Sequence, residues 1–416
     1  MITRRLPHSS CRTGATPACR HSAFRRCCAR TPARRRWRRA FSPPPAPPPA
    51  ANPRPPKREP AKAKREPANA NPEPAPLPDL VPEPPPVRPW NRIAAPEGLP
   101  ELWVIDATAL LVRAYHGMHP RSSPAGVPVG AVLGLSQLLM QVVRRHGARQ
   151  VALVYDAGRT TFRNRIDPRY KAHRGEPPED LAVQLEPALR LGQALGFAAY
   201  SVPDYEADDL TATLARLARE AGVGTRLVSV DKDLCQLVRD EHPAVRLEDP
   251  RSGELCDEAG VRQRIGVVPC RVVDAMALTG DTSDNIPGVR GVGRQAAVAL
   301  LEAFGDLEGI YADLGRVEAL AVRGAKGLAR KLEAGRDEAF LARRLVQLCD
   351  EVPVTEVAAD RVGSGRAAVP GAAQGPGGLL AQTRWAGPVA DAWELFDELG
   401  TQGALRGFLA LHGALE

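Results

Sequence analysis

Five groups of acidic residues carry the chemistry that this chain's side chains could support. Asp106, Asp156 and the pair Asp231/Asp233 each close an apolar run. Glu206-Ala207-Asp208-Asp209 and Asp281-Thr282-Ser283-Asp284 complete the set. Each group alone has an ordinary explanation, because acids cap helices, favour the positive end of the helix dipole and open turns. Nine carboxylates brought to one place would repel strongly, and divalent cations would relieve that repulsion. Oxygen ligands without His or Cys suit Mg²⁺ or Mn²⁺ rather than zinc. Two such ions about 4 Å apart activate a water and stabilise a leaving oxygen, which is the chemistry of phosphodiester hydrolysis.

The elements that must position these acids are legible as hydrophobic pattern. The runs 102–105, 151–155 and 226–230 read as buried parallel strands, ending at Asp106, Asp156 and Asp231. Periodicity predicts helices over 131–145, 181–195 and 208–221. Strands alternating with helices make an α/β fold with a parallel sheet. In such sheets ligands bind outside the carboxyl ends of the strands, where these acids would stand. Helices are also expected over 272–279, 296–304 and 328–332, and over 393–411 near the end of the chain.

Two further segments point to a phosphate-bearing polymer. Residues 159–174 hold six basic residues against the single acid Asp167, with Phe162 and Tyr170 interleaved. Basic side chains neutralise phosphates and aromatic rings stack on bases, although a solvated charged loop has the same composition. Gly291, Gly293 and Ala296 fit the G-x-G-x-x-A spacing of a dinucleotide site. A helix and a turn precede them rather than a strand, so a helix–hairpin–helix turn fits better. Its glycines would let backbone amides approach phosphates, with Arg294 adding charge.

Net charge divides the chain. Residues 1–90 carry 19 Lys+Arg against 5 Asp+Glu, which leaves 37 against 43 in the remainder. They also hold 23 of the 41 prolines. A basic, proline-rich tail that cannot pack is therefore expected over 1–95. Three readings of it stay open: a basic arm on phosphates, an organelle transit peptide, or a mis-assigned translation start near Trp90. The four cysteines of the remainder, Cys235, Cys256, Cys270 and Cys349, are scattered. They read as core residues in a reducing compartment. No stretch is apolar enough to suggest a membrane span.

The ordered motifs carry a family resemblance. They are Val112-Arg113-Ala114-Tyr115-His116, Gly126-Val127-Pro128-Val129-Gly130-Ala131, Tyr155-Asp156-Ala157 and Phe162-Arg163. Tyr170-Lys171-Ala172-His173-Arg174, Glu206-Ala207-Asp208-Asp209 and Asp231-Lys232-Asp233-Leu234 follow. The series ends with Gly280-Asp281-Thr282-Ser283-Asp284-Asn285-Ile286-Pro287-Gly288. Residues 101–355 thereby resemble the 5′-to-3′ exonuclease domain of bacterial DNA polymerase I and its stand-alone relatives, in the flap endonuclease superfamily. The resemblance implies a PIN-like α/β core over 96–265, a helix–hairpin–helix (H3TH) DNA-binding subdomain over 266–355, and a linker with a terminal helix over 356–416. It implies metal-dependent hydrolysis of DNA at 5′ ends or flaps, in replication and repair.

By motif, Asp106, Asp156, Glu206 and Asp208 would hold a first Mg²⁺ or Mn²⁺. Asp209, Asp231, Asp233, Asp281 and Asp284 would serve a second ion or its water shell. Lys171 and Arg174 would sit on an arch helix and polarise the scissile phosphate. Tyr170 would stack on a displaced base, and Arg113 and Arg163 would contact DNA. The turn at Gly291, Gly293 and Arg294 would bind the duplex backbone, with K⁺ as a further cofactor. The implied partners are flap, nicked or 5′-ended DNA and a separate DNA polymerase. The chain would act as a monomer, away from membranes, in the cytoplasm at the nucleoid, with organelle targeting by the tail as the alternative. No polymerase domain is expected after Pro353.

Two departures stand out. Ala107-Thr108 replaces the usual Gly-Ser after the first Asp, and the Ala107 methyl would narrow the approach of a phosphate. Val230 replaces a usual Gly before Asp231. Two other readings remain: a PIN-type ribonuclease, and a catalytically idle protein that binds DNA structures.

Overall fold

The computed structural model describes residues 101–322, 324–353 and 375–415. The expected tail over 1–95, and the larger part of a Gly/Ala-rich stretch over 363–378 expected to be flexible, lie outside the described residues. The centre is a six-stranded sheet of β1 (Glu101–Asp106), β2 (Gln150–Val154), β3 (Ala198–Tyr200), β4 (Gly224–Val228), β5 (Val245–Glu248) and β6 (Leu255–Cys256). Their order across the sheet is β3-β2-β1-β4-β5-β6. β1 to β5 are parallel, and β6 closes one edge antiparallel. The strand order reverses between β1 and β4, so the crevice of this doubly wound sheet opens there.

β1 and β2 match two of the expected runs, because each is buried on both faces and so reads as continuous hydrophobicity, while β4 lies two residues earlier than the expected 226–230 and carries the half-buried Arg226. Leu102, Val104, Ala152, Val154 and Leu227 enter one core, while Trp103, Ile105, Val151, Leu153 and Val228 enter the other. β3, β5 and β6 went unexpected. They are 3, 4 and 2 residues long, and none shows a run of β-branched residues.

Sixteen described helices flank or extend the sheet. The first six are α1 (Ala107–Gly117), α2 (Gly130–His146), α3 (Phe162–Ile166), α4 (Glu179–Ala182), α5 (Leu185–Ala194) and α6 (Ala207–Glu220). α7 (Glu258–Ile265), α8 (Val272–Thr279), α9 (Arg294–Phe304), α10 (Leu307–Ala312), α11 (Leu314–Val317), α12 (Ala325–Ala334) and α13 (Arg336–Val346) follow. α14 (Gly375–Thr383), α15 (Ala392–Glu398) and α16 (Gln402–Leu415) end the described chain.

Three helical expectations change. The single helix over 181–195 is broken into α4 and α5. Pro187 cannot donate to residue 183 and clashes with its carbonyl, so the helix restarts in the turn before it. The helix over 393–411 is cut at Gly400, which takes φ +65 between α15 and α16. No arch helix carries Lys171 and Arg174. α3 is capped by Thr161 and ends at Ile166, two residues before Pro168. The chain then runs through turns in which Lys171 itself has φ +54.

The core on the face of Leu102 and Val104 is continuous from the sheet through α6 to α8, α9 and α13. On the other face α1, α2 and α5 are covered by the C-terminal segment. Phe396 and Phe408 there are wholly buried, and each contributes roughly 2–3 kcal/mol through the area taken from water. Trp385 stacks on Phe197 at 5.2 Å, and its indole N–H donates to the Leu195 carbonyl. The terminal helices thus pack back on the body. Among the described residues no helix is long and apolar enough to cross a membrane.

Candidate active site at the acidic edge

The carboxyl ends of β1, β2 and β4, with the start of α6, bring five acids to one edge. Asp106 ends β1 and caps α1, its Oδ1 accepting from the Ala109 N–H at 2.9 Å. Its Oδ2 accepts from the Ser229 hydroxyl at 3.2 Å. Asp156 lies two residues past β2, and its own N–H is held by the Thr108 hydroxyl at 2.9 Å. Its Oδ1 accepts from the Ala207 N–H at 2.8 Å, tying it to the first turn of α6. Beyond β4, the Asp233 N–H donates to Asp231 Oδ1 at 2.9 Å. Asp233 Oδ1 is itself buried with no hydrogen-bond partner.

These acids disfavour one another's charge. Burial, then Asp156, pushes Asp106 up to about 7. Burial, then Asp231, Asp281 and Asp284, pushes Asp233 up to about 7. Asp208 is raised well above the ordinary carboxylate range by burial and then by Asp231, Asp106, Asp233 and Asp156. It is the point at which the five meet. Asp156 is raised too, with desolvation first, but it is exposed at the rim, so solvent screening weakens the effect there. Among the described residues, no group of three or more His, Cys, Asp or Glu side chains is arranged to hold an ion as it stands. The arrangement is an open basin. Its donors are all oxygen and include the unpartnered buried Asp233 Oδ1, so it fits hard divalent cations better than zinc.

Three other acids are already paired. Lys171 Nζ lies 3.0 Å from Glu206 Oε1 and 3.5 Å from Asp284 Oδ2. Burial works against the Lys171 charge, but Glu206 and Asp284 outweigh it and raise its pKa. Arg174 bonds to Asp284 Oδ1 and to the Ser283 carbonyl. Lys232 Nζ lies 2.9 Å from Asp281 Oδ2. Burial opposes ionisation of Asp281, yet Lys232 and two bonds from Ser283 hold its carboxyl below the ordinary range. The loop carrying Asp281 and Asp284 depends on a close backbone crossing. A Cβ on Gly280, at φ +72, would meet Gly288 N at 2.5 Å, and one on Gly288 would meet Gly280 N at 2.2 Å.

Several expected positions are not where the motifs put them. Asp209 faces away from the basin and is wholly buried, in a two-pronged ion pair with Arg163 at 2.7 Å on each oxygen. Four N–H donors occupy its two oxygens. Arg163 is only 1% exposed, so its guanidinium is not presented at the surface. Tyr170 is 3% exposed, so its ring is not offered for stacking. Its hydroxyl lies 2.9 Å from Glu206 Oε2 and 3.1 Å from Asp284 Oδ2. Arg113 sits on α1, 3.9 Å from Asp249, and makes no bond to the acids of the basin. Ala107 is wholly buried in the core, so its methyl does not narrow a phosphate path. Gly291 takes φ +81 in the turn before α9, Gly293 caps that helix, and Arg294 opens it with its side chain exposed. The motifs also missed Ser229, Thr108 and Lys232 as partners of the acids. Small hydroxyl residues beside strand-end acids were the available signal.

Two family descriptions match in succession: the N-terminal resolvase-like domain of 5′-3′ exonucleases over residues 101–266, and their C-terminal SAM fold over 267–365. The chain belongs to the 5′-3′ exonuclease family. Within the family it is 40% identical over 252 residues to DNA polymerase I of Pseudomonas aeruginosa, covering 60% of this chain and 27% of that protein. It therefore spans little more than a quarter of that polymerase. It is 29% identical over 252 residues to a 5′-3′ exonuclease of Buchnera aphidicola subsp. Schizaphis graminum, covering 60% of this chain and 87% of that one. Among solved structures, T5 5′-exonuclease with bound zinc superposes with TM-score 0.50 at 18% identity. The match covers 76% of this chain and all of that one, and it supports the fold.

Proposed function

We propose that this member of the 5′-3′ exonuclease family is a metal-dependent 5′-nuclease that hydrolyses DNA phosphodiester bonds near 5′ ends or flaps. The open, all-carboxylate basin of Asp106, Asp156, Asp208, Asp231 and Asp233 carries the reading. Carboxylates pushed toward neutrality by burial and then by one another, as Asp106, Asp208 and Asp233 are, gain most from a cation. Mg²⁺ or Mn²⁺ held there would activate water and offset charge on the leaving oxygen. Glu206 and Asp284 would adjoin the ions, and Asp281 would act through their water shell.

The chain's own cations divide the remaining work. Lys171 and Arg174 sit at the rim, on Glu206 and Asp284, and would turn from these to the scissile phosphate. Charge-assisted donors of this kind stabilise charge developing in the transition state. Residues 96–265 would hold the chemistry, and 266–355 would grip the duplex through the turn at Gly291, Gly293 and Arg294. Lys331 Nζ lies 3.3 Å from the Gly291 carbonyl and adds positive charge to that turn, where K⁺ would be a further cofactor. The working form would be a monomer acting beside a separate DNA polymerase at the nucleoid.

The test is cleavage of a 5′-labelled flap duplex with Mg²⁺ or with EDTA. Release of the flap only with the metal supports the reading, and no release by the wild type under any divalent cation contradicts it.

A further inference from the structure

The buried pair of Arg163 and Asp209 lies outside the basin, but its bonds lead into it. Asp209 accepts four N–H groups: Arg163 Nη1 and Nη2 at 2.7 Å, the Glu206 backbone at 3.1 Å and the Cys349 backbone at 2.9 Å. Arg163 spends its remaining reach on the Leu345 carbonyl at 2.8 Å and the Gln347 carbonyl at 3.3 Å. Three separate segments therefore meet at one ion pair: α3, the first turn of α6, and the chain leaving α13. The first turn of α6 is the one that carries Glu206 and Asp208.

We propose that Arg163 and Asp209 are positioning residues, whose buried fork fixes the first turn of α6 and so sets where Glu206 and Asp208 present their carboxylates to a divalent cation. The inference rests on the nuclease reading of the basin. Stability alone is a poor reason for such a pair, since apolar residues of similar volume commonly replace buried ion pairs without loss. Geometry is a better one. Successive helical residues point about 100° apart, so clamping Asp209 inward aims Asp208 outward. Arg163 Nη1 also lies 3.6 Å from Glu206 Oε2, the oxygen that accepts from the Tyr170 hydroxyl, while Lys171 holds Oε1. Lysine could keep the charge but not the two-pronged fork or the two carbonyl bonds.

Mn²⁺ binding to the full chain without DNA, followed by electron paramagnetic resonance of the free ion, gives a readout independent of turnover. The double variant Arg163→Met/Asp209→Leu removes both charges together, and Arg163→Lys keeps one charge on each side. A double variant that melts no lower than wild type but binds Mn²⁺ roughly 10–100-fold more weakly supports the proposal. The Mg²⁺ concentration for half-maximal cleavage should rise in parallel, with KM for the flap duplex nearly unchanged. Arg163→Lys should fall between the two, and it decides the matter alone if the double variant does not fold. Wild-type Mn²⁺ affinity in either folded variant overturns the proposal. A wild type that cuts no DNA would remove the nuclease reading instead, while the Mn²⁺ comparison would still decide the positioning role.

Discussion

Asp208 and Asp209 are neighbours in the chain and opposites in the fold. Asp208 faces four other carboxylates and is pushed well above the ordinary range, with burial as the largest cause. Asp209 is wholly buried and receives four N–H donors, including both ends of a guanidinium. One region concentrates unrelieved charge at the edge of the sheet. The other neutralises its charge completely inside the core. The difference shows that the count of acids in a motif does not count ligands. Partners decide, and here they come from residues 46 positions earlier and 140 later in the chain.

The largest expected effect comes from thinning the charged region. Asp233→Ala should lower flap cleavage by about a thousandfold or more, as loss of a metal-holding group does. DNA affinity by fluorescence anisotropy should hardly change, and a tenfold loss of affinity would mark Asp233 as a binding residue instead. Lys171→Ala should slow single-turnover cleavage by roughly a hundredfold. An unchanged rate would leave Lys171 as nothing more than the counter-charge of Glu206 and Asp284.

Stability should follow pH in a direction set by the basin. Asp106 and Asp233 titrate near 7 when folded, against about 4 in an unfolded chain. Between those values the folded state binds more protons, so stability in EDTA should fall as pH rises from 4 to 7 and stay low above it. Saturating Mg²⁺ should flatten that slope. A melting temperature that rises with pH in EDTA would contradict the electrostatic description. The smallest effect belongs to the turn before α9. Arg294→Ala should weaken duplex binding a few-fold and reduce its salt slope by about one.

Much of this was legible in the residues. β1, β2 and β4 announced themselves as apolar runs ending in acids, and α6, α8 and α9 as periodic helices. The family motifs named nine acids, of which the fold gathers five at the sheet edge and pairs Asp209 inside the core. What stayed hidden depended on contacts distant in sequence. Arg163 and Tyr170 look like DNA-binding residues because basic and aromatic side chains are usually exposed in such segments. Here Asp209 draws the first inward, and Glu206 and Asp284 draw in the second. The arch was expected to be helical, but Lys171 adopts φ +54 and its N–H donates to the Asp284 carbonyl at 2.9 Å.

The contrast between the two aspartates has one direct test: thermal melting in EDTA at pH 8 of Asp208→Asn and Asp209→Asn, each against wild type. Asp208→Asn should melt higher, because it removes a charge from a repelling group. Asp209→Asn should melt lower, losing about 3–5 kcal/mol by leaving Arg163 buried without its partner. Two shifts of the same sign would contradict the division of the acidic motif into a repelling basin and a satisfied brace.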